Sequence, residues 1–226
     1  MTGARLPNPA CSRERAIRRD GGIDRGPWQV AEEALIALSC SRANLAVTAA
    51  TPADLDDSAA GFSLTERIFT DPGQIEEAAI VAVPNGIELP LRLSLDRRAA
   101  AEVRWRHLAG PGGCGSCGVD GLEPAKRAPL HVTADSRFTT TDIAEALASL
   151  ALAQTLNAAT RATRAAGSST CVEGLAAERK HVGRHSAVER PAGALAHAGH
   201  AGSGGFEIVT HAHWIIPAEE AACHVA

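Results

Sequence analysis

Between Ala109 and Gly118 the chain reads Ala-Gly-Pro-Gly-Gly-Cys-Gly-Ser-Cys-Gly, with glycine at 110, 112, 113, 115 and 118. No helix or central strand runs through such a segment, because each glycine gives up extra backbone entropy on ordering. The stretch is expected to be a mobile loop between whatever folds before it and after it. It presents two thiols three residues apart, Cys114 and Cys117. Exposed loops carry chemistry more often than packing. Thiolate is the reactive form, and a neighbouring thiol can attack a sulfur atom loaded on the first. Cys114 and Cys117 are therefore candidate catalytic residues for thiol or persulfide chemistry. Two other readings stay open on the residues alone. The pair could be half of a zinc site, completed by Cys171 with His181 or His185, or the loop could be solvated and inert.

Composition narrows the class. The 226 residues are 45% hydrophobic but only 3% aromatic, with no tyrosine, so the core must pack small side chains. A net charge of -4 argues against nucleic acid as a partner. No run of eighteen apolar residues suggests a membrane span. Arg5, Arg13, Arg15, Arg18 and Arg19 break up any apolar leader, so a cytoplasmic protein is expected. Six irregularly spaced cysteines in a chain this long point to catalytic or incidental thiols rather than a disulfide framework. No resident metal is expected.

Taken in order, residues 1–27 are rich in Arg, Gly and Pro without an apolar period, which predicts a disordered extension. Residues 30–47 read as two short strands joined near Cys40–Asn44. A helix follows, with Thr51 as its cap, Pro52 at its first position and Asp54, Asp56 and Asp57 in its opening turns. Gly61 lies where a close helix-to-sheet approach needs no side chain. Residues 78–83 read as a buried strand, Asn85-Gly86 as a hairpin turn, and Ile87, Leu89, Leu91, Leu93 and Leu95 as a returning strand with strict alternation. Residues 97–106 suggest a charged helix, and 123–137 a domain boundary. Thr141-Asp142 open another helix, with Glu145 in a capping-box arrangement and Ile143, Leu147 and Leu150 on one face. Residues 154–166 suggest a further helix, on which Asn157, Thr160 and Arg161 could meet an anionic ligand. At His181–Val188 a glycine, Gly183, precedes Arg184, His185 and an apolar helical run. That arrangement gathers backbone N–H groups, an Arg and a His at one helix start, which suits phosphate or pyrophosphate. Residues 206–216 read as one strand, with His211 and His213 sharing a face.

Several of these pieces resemble the FdhD/NarQ family, the formate dehydrogenase accessory sulfurtransferases. They are Ala50–Leu55 with Ala60–Glu66, Gly113-Cys-Gly-Ser-Cys-Gly118, Gln154–Arg161, Val182-Gly-Arg-His-Ser-Ala-Val188, and Phe206-Glu207 with Ile208-Val209. The resemblance implies an α/β fold: an α+β N-terminal part over 28–122, ending in the cysteine loop, and a cytidine-deaminase-like three-layer domain over 138–226. Family members continue past the equivalent of Pro217, so that second domain is expected to be incomplete. The resemblance also implies that a cysteine desulfurase hands sulfur to Cys114 as a persulfide, with Cys117 assisting. The acceptor would be the molybdenum bis-guanine-dinucleotide cofactor, bound transiently before insertion into the formate dehydrogenase catalytic subunit. Asn157, Arg161, Gly183, Arg184 and His185 would bind that cofactor, no cofactor being held permanently, and homodimerisation stays open. The sequence departs from the family at Lys180-His181, where Glu-Asp is usual, at Arg164, where a histidine is expected, and at Arg190, where a lysine is usual. Pro191 is expected to interrupt its helix early.

Overall fold

The computed structural model describes residues 5–40, 43–94, 136–200, 202–210 and 214–217. Strands β1 (Ala10–Arg19) and β2 (Gly22–Ala31) form an antiparallel hairpin where the sequence predicts disorder. Asp20 and Gly21 turn it, both at positive φ (48° and 82°), the geometry that Asp-Gly supplies between twisted strands. The arginines of the hairpin obscure its strand pattern. One of them, Arg15, places its guanidinium 3.6 Å from the Trp28 ring centroid on the opposite strand.

Strands β3 (Ala34–Cys40) and β4 (Ala43–Ala50) are the expected pair, with Cys40 buried in the core. Helix α1 (Leu55–Thr65) begins later than predicted. Its cap position is Asp54, left-handed at φ 50°, and Thr51 is drawn inward instead. Strands β5 (Ile75–Ala78) and β6 (Val81–Val83) are short and largely exposed, in place of one buried strand over 78–83. The reason is position: both lie beside β7 (Gly86–Leu93) at the margin of the sheet. β7 alternates as predicted, burying Ile87, Leu89, Leu91 and Leu93. The sheet order is β4-β3-β7-β5, with β6 also on β7 and β3 parallel to β7. Leu55, Ala59 and Ala60 of α1 close its inner face.

Helix α2 (Thr140–Ala153) is capped by Thr139 in a reciprocal box with Asp142, three residues before the expected box of Asp142 with Glu145. Ala146 and Leu150 are buried, whereas Leu147 is 44% exposed. Residues 154–166 are not one helix. A short α3 (Thr155–Thr160) ends at Arg161, left-handed at φ 56°, and β8 (Arg164–Thr170) begins three residues later. β9 (Gly174–His181) pairs with β8. Helix α4 (Arg184–His197) runs straight through Pro191, which costs one hydrogen bond but no helix, because α4 is clamped between α1 and strands β8 and β9. Residues 206–216 form a hairpin, β10 (Gly205–Val209) and β11 (Trp214–Pro217), rather than one strand.

The second sheet, β11-β10-β8-β9, is antiparallel. Ala165, Phe206 and Ile208 meet Ala146 and Leu150 of α2 on one face. Every residue of β10 is buried, and α4 packs against the neighbouring strands β8 and β9 of the same sheet. α4 in turn packs on α1. The order of layers is first sheet, α1, α4, second sheet, α2. Among the described residues no helix is long and apolar enough to cross a membrane.

Candidate functional site

Three separated blocks meet at the start of α4. Gly183 occupies its cap position in extended conformation and has no side chain to cap the first turn. The orphan N–H groups of a helix start, with its dipole, favour an anion. The turn that presents them is held from beneath by Thr51, which is 0% exposed. The Thr51 hydroxyl accepts from the Val182 N–H (3.2 Å), and its own N–H donates to His181 Nε2 (3.3 Å). Its carbonyl accepts from Arg190 Nη2 (2.8 Å), while Arg190 Nη1 donates to the Lys180 carbonyl (3.0 Å).

Burial decides the charges here. His181 is 1% exposed, and burial, then the Arg190 charge, hold its pKa down at about 3. The ring is neutral at physiological pH. A neutral imidazole accepts at one nitrogen only, so the Thr51 N–H (3.3 Å from Nε2) and the Gly183 N–H (2.6 Å from Nδ1) compete for it, while Nδ1 also lies 2.9 Å from the Gly183 carbonyl. Burial brings Arg190 down only to about 10, so it keeps its charge. Burial, then the neighbouring Glu66, push the Glu189 carboxyl up to about 7.

Arg164 and the end of α3 flank the same corner. Arg164 pairs with His181 across β8 and β9, and its Nη1 donates to the Val182 carbonyl (2.5 Å). Its Nε is buried with no partner among the described residues, as is the Thr163 hydroxyl beside it in sequence. Arg161 follows α3 three residues before Arg164, exposed at the mouth of this corner. Asn157 lies on α3, its Nδ2 3.4 Å from Gln154 Oε1. Arg184 and His185 form the first turn of α4. The structure thus brings the 154–161 block and the 182–188 block to one end of the second sheet. Cys114 and Cys117 lie outside the described residues, as do His211, His213 and residues 97–106.

The zinc alternative loses its completing ligands. Cys171 lies in the turn before β9 and His181 at that strand's far end. Seven residue steps of strand separate such ends by about 20 Å. His185, near the start of α4, lies at the His181 end. Among the described residues no group of three metal-ligating side chains forms.

Sequence reasoning missed Thr51, His181, Arg190 and Arg164 as parts of this corner. Thr51 does carry a local signal, but for a helix cap. Its contacts are to residues 130 and more positions away, and no spacing rule announces them.

A model of the FdhD/NarQ family matches residues 31–211. The sulfur carrier protein FdhD of Agrobacterium fabrum is 40% identical over 197 residues, covering 87% of this chain and 73% of that protein. The protein of the same name from Brucella abortus is 44% identical over 182 residues, covering 80% and 68%. A crystal structure assigned to a formate dehydrogenase accessory protein of Desulfotalea psychrophila superposes with a TM-score of 0.65. It covers 89% of this chain and 75% of that one at 19% identity, which is a likeness of fold.

Proposed function

The chain belongs to the FdhD/NarQ family, and from that membership we propose that it is a sulfurtransferase serving formate dehydrogenase maturation. The Cys114 thiolate attacks the terminal sulfur of a persulfide on a cysteine desulfurase. A new S–S bond forms at Cys114, the donor's S–S bond breaks, and the donor cysteine leaves as thiolate. Cys117 then attacks the inner sulfur of the Cys114 persulfide. The outer sulfur departs as hydrosulfide, and a cellular thiol reduces the Cys114–Cys117 disulfide left behind. The acceptor is the molybdenum bis-guanine-dinucleotide cofactor, a substrate here, destined for the formate dehydrogenase catalytic subunit in the cytoplasm.

The start of α4 takes the phosphates of that substrate, with the Gly183–His185 turn beneath it and Arg161 and Asn157 at its side. The fit is supported by the uncapped first turn and by the buried Nε of Arg164, unpartnered among the described residues, on a side chain bonded to the Val182 carbonyl. The observation that carries the whole reading is one continuous family match over residues 31–211, which runs across the Cys114–Cys117 pair.

The test is persulfide loading. The protein is incubated with a cysteine desulfurase and cysteine and weighed intact. One added sulfur, removed by dithiothreitol and missing from Cys114→Ala, is expected. Loading that survives Cys114→Ala, or none on Cys117→Ala, which cannot expel the sulfur, overturns the proposal.

A further inference from the structure

We propose that Thr51, His181 and Arg190 are positioning residues for the phosphate-binding turn, fixing Val182 and Gly183 from the buried side and so setting the affinity of the α4 start for an anion. The inference rests on the phosphate role proposed above and goes beyond it, by assigning function to three residues that face away from the ligand.

Thr51 commits its N–H, its hydroxyl oxygen and its carbonyl to this corner, the carbonyl also accepting from the Ala53 N–H (2.8 Å). Its N–H goes to His181, its hydroxyl takes the Val182 N–H, and its carbonyl takes Arg190. His181 Nδ1 meets both the Gly183 N–H (2.6 Å) and the Gly183 carbonyl (2.9 Å), and Arg190 spans from Thr51 to Lys180. The backbone on both sides of the turn, Lys180 before it and Gly183 within it, is thereby tied to a segment from the other half of the chain. Gly183 has no side chain of its own to hold its dihedrals (φ -84°, ψ 139°). The direction of the first-turn N–H groups depends on those dihedrals, and anion recognition tolerates only about 0.5 Å of misplacement. A turn this dependent on distant support needs the Thr51 hydroxyl: without it the part-buried Val182 N–H loses its acceptor.

The experiment uses the full chain. Guanosine diphosphate and, separately, inorganic pyrophosphate are titrated calorimetrically into wild type, Thr51→Ser and Thr51→Val, below the melting temperature of each. Amide exchange of residues 182–187 is followed without ligand. Thr51→Val should weaken both probes at least tenfold and speed exchange over 182–187, and Thr51→Ser should restore both. Wild-type affinity in Thr51→Val, or unchanged exchange at 182–187, overturns the inference. If the wild type binds neither probe, it is the phosphate role that fails, and the exchange arm alone judges the positioning. Should Thr51→Val not fold, Arg190→Lys substitutes for it. That variant keeps the charge but reaches one carbonyl instead of two, and the same loss of affinity and protection is expected.

Discussion

Glu207 sits at the centre of the second sheet, 1% exposed, with Oε2 accepting from the Ser168 hydroxyl (2.8 Å) and Oε1 unpartnered. Burial pushes its carboxyl up to about 7 from the usual 4.5. Because the folded-state pKa lies above the unfolded one, the associated stability is complete below about pH 4.5 and lost as pH rises through about 7. A shift of this size corresponds to roughly 3 kcal/mol at most. Glu207→Gln should therefore unfold in urea at nearly the wild-type midpoint at pH 5, yet at a higher midpoint than wild type at pH 8; equal midpoints at pH 8 contradict it. His181 acts in the opposite sense. Its pKa is depressed to about 3, so its contribution is complete above about pH 6.5 and lost as pH falls toward 3. His181→Gln should flatten the acid limb of the stability profile between those values, measured by the same urea midpoints. Neither residue advertised its burial. Glu207 was readable as part of a strand, but a strand with a solvent face, whereas the sheet is covered on both sides.

At the level of elements, α1 and α4 touch backbone to backbone. A Cβ at Gly61 would strike the Glu189 carbonyl, and one at Gly193 the Asp57 carbonyl. The close approach expected of Gly61 is real, but its neighbour is a helix and not a sheet. No rotamer change relieves a collision with main chain, so Gly61→Ala and Gly193→Ala should each cost about 3 kcal/mol or more. Gly26→Ala, on the exposed hairpin with nothing within 4 Å, should stay within about 0.5 kcal/mol of wild type. Thermal melts of the three variants decide it. Element existence was legible wherever a local rule acted alone: the alternation of β7, the polar start of α2 (though its capping box lay three residues from the expected one), the glycine before α4. It failed where tertiary context supplied the burial. β8 is Arg-Ala-Ala-Gly-Ser-Ser-Thr, with no apolar pattern, and Ser168 and Ser169 are buried in it because α2 and α4 cover them. Asp20-Gly21 was a sound hairpin signal masked by surrounding arginines. At the corner, Gly183 was legible as a helix start, but its buttress of Thr51, His181 and Arg190 was not, since long-range hydrogen bonds leave no periodicity.

For the molecule as a whole, the division of the chain by its glycine-rich segment does not divide the packing. α1 belongs by sequence to the first half and by its inner face to the first sheet, yet its other side is locked to α4. Asp57 near its start accepts from Arg179 of β9 and sits 2.8 Å from His197 Nδ1 at the end of α4. Thr51, just before α1, is bonded into the β9–α4 turn. Opening either sheet would strip apolar cover from α1 or α4 and break hydrogen bonds at both ends of the α1–α4 contact. The two sheets should therefore unfold together. Amide exchange of residues 36–38 in β3 and 206–209 in β10, followed through a urea titration, should show one shared midpoint. Gly193→Ala, which touches neither sheet directly, should lower both by the same amount. Two separate midpoints, or a shift confined to β10, would mean that α1 and α4 part without loss and that each half is a folding unit. A common shift means that the turn at Gly183 is only as stable as the sheet on the far side of α1.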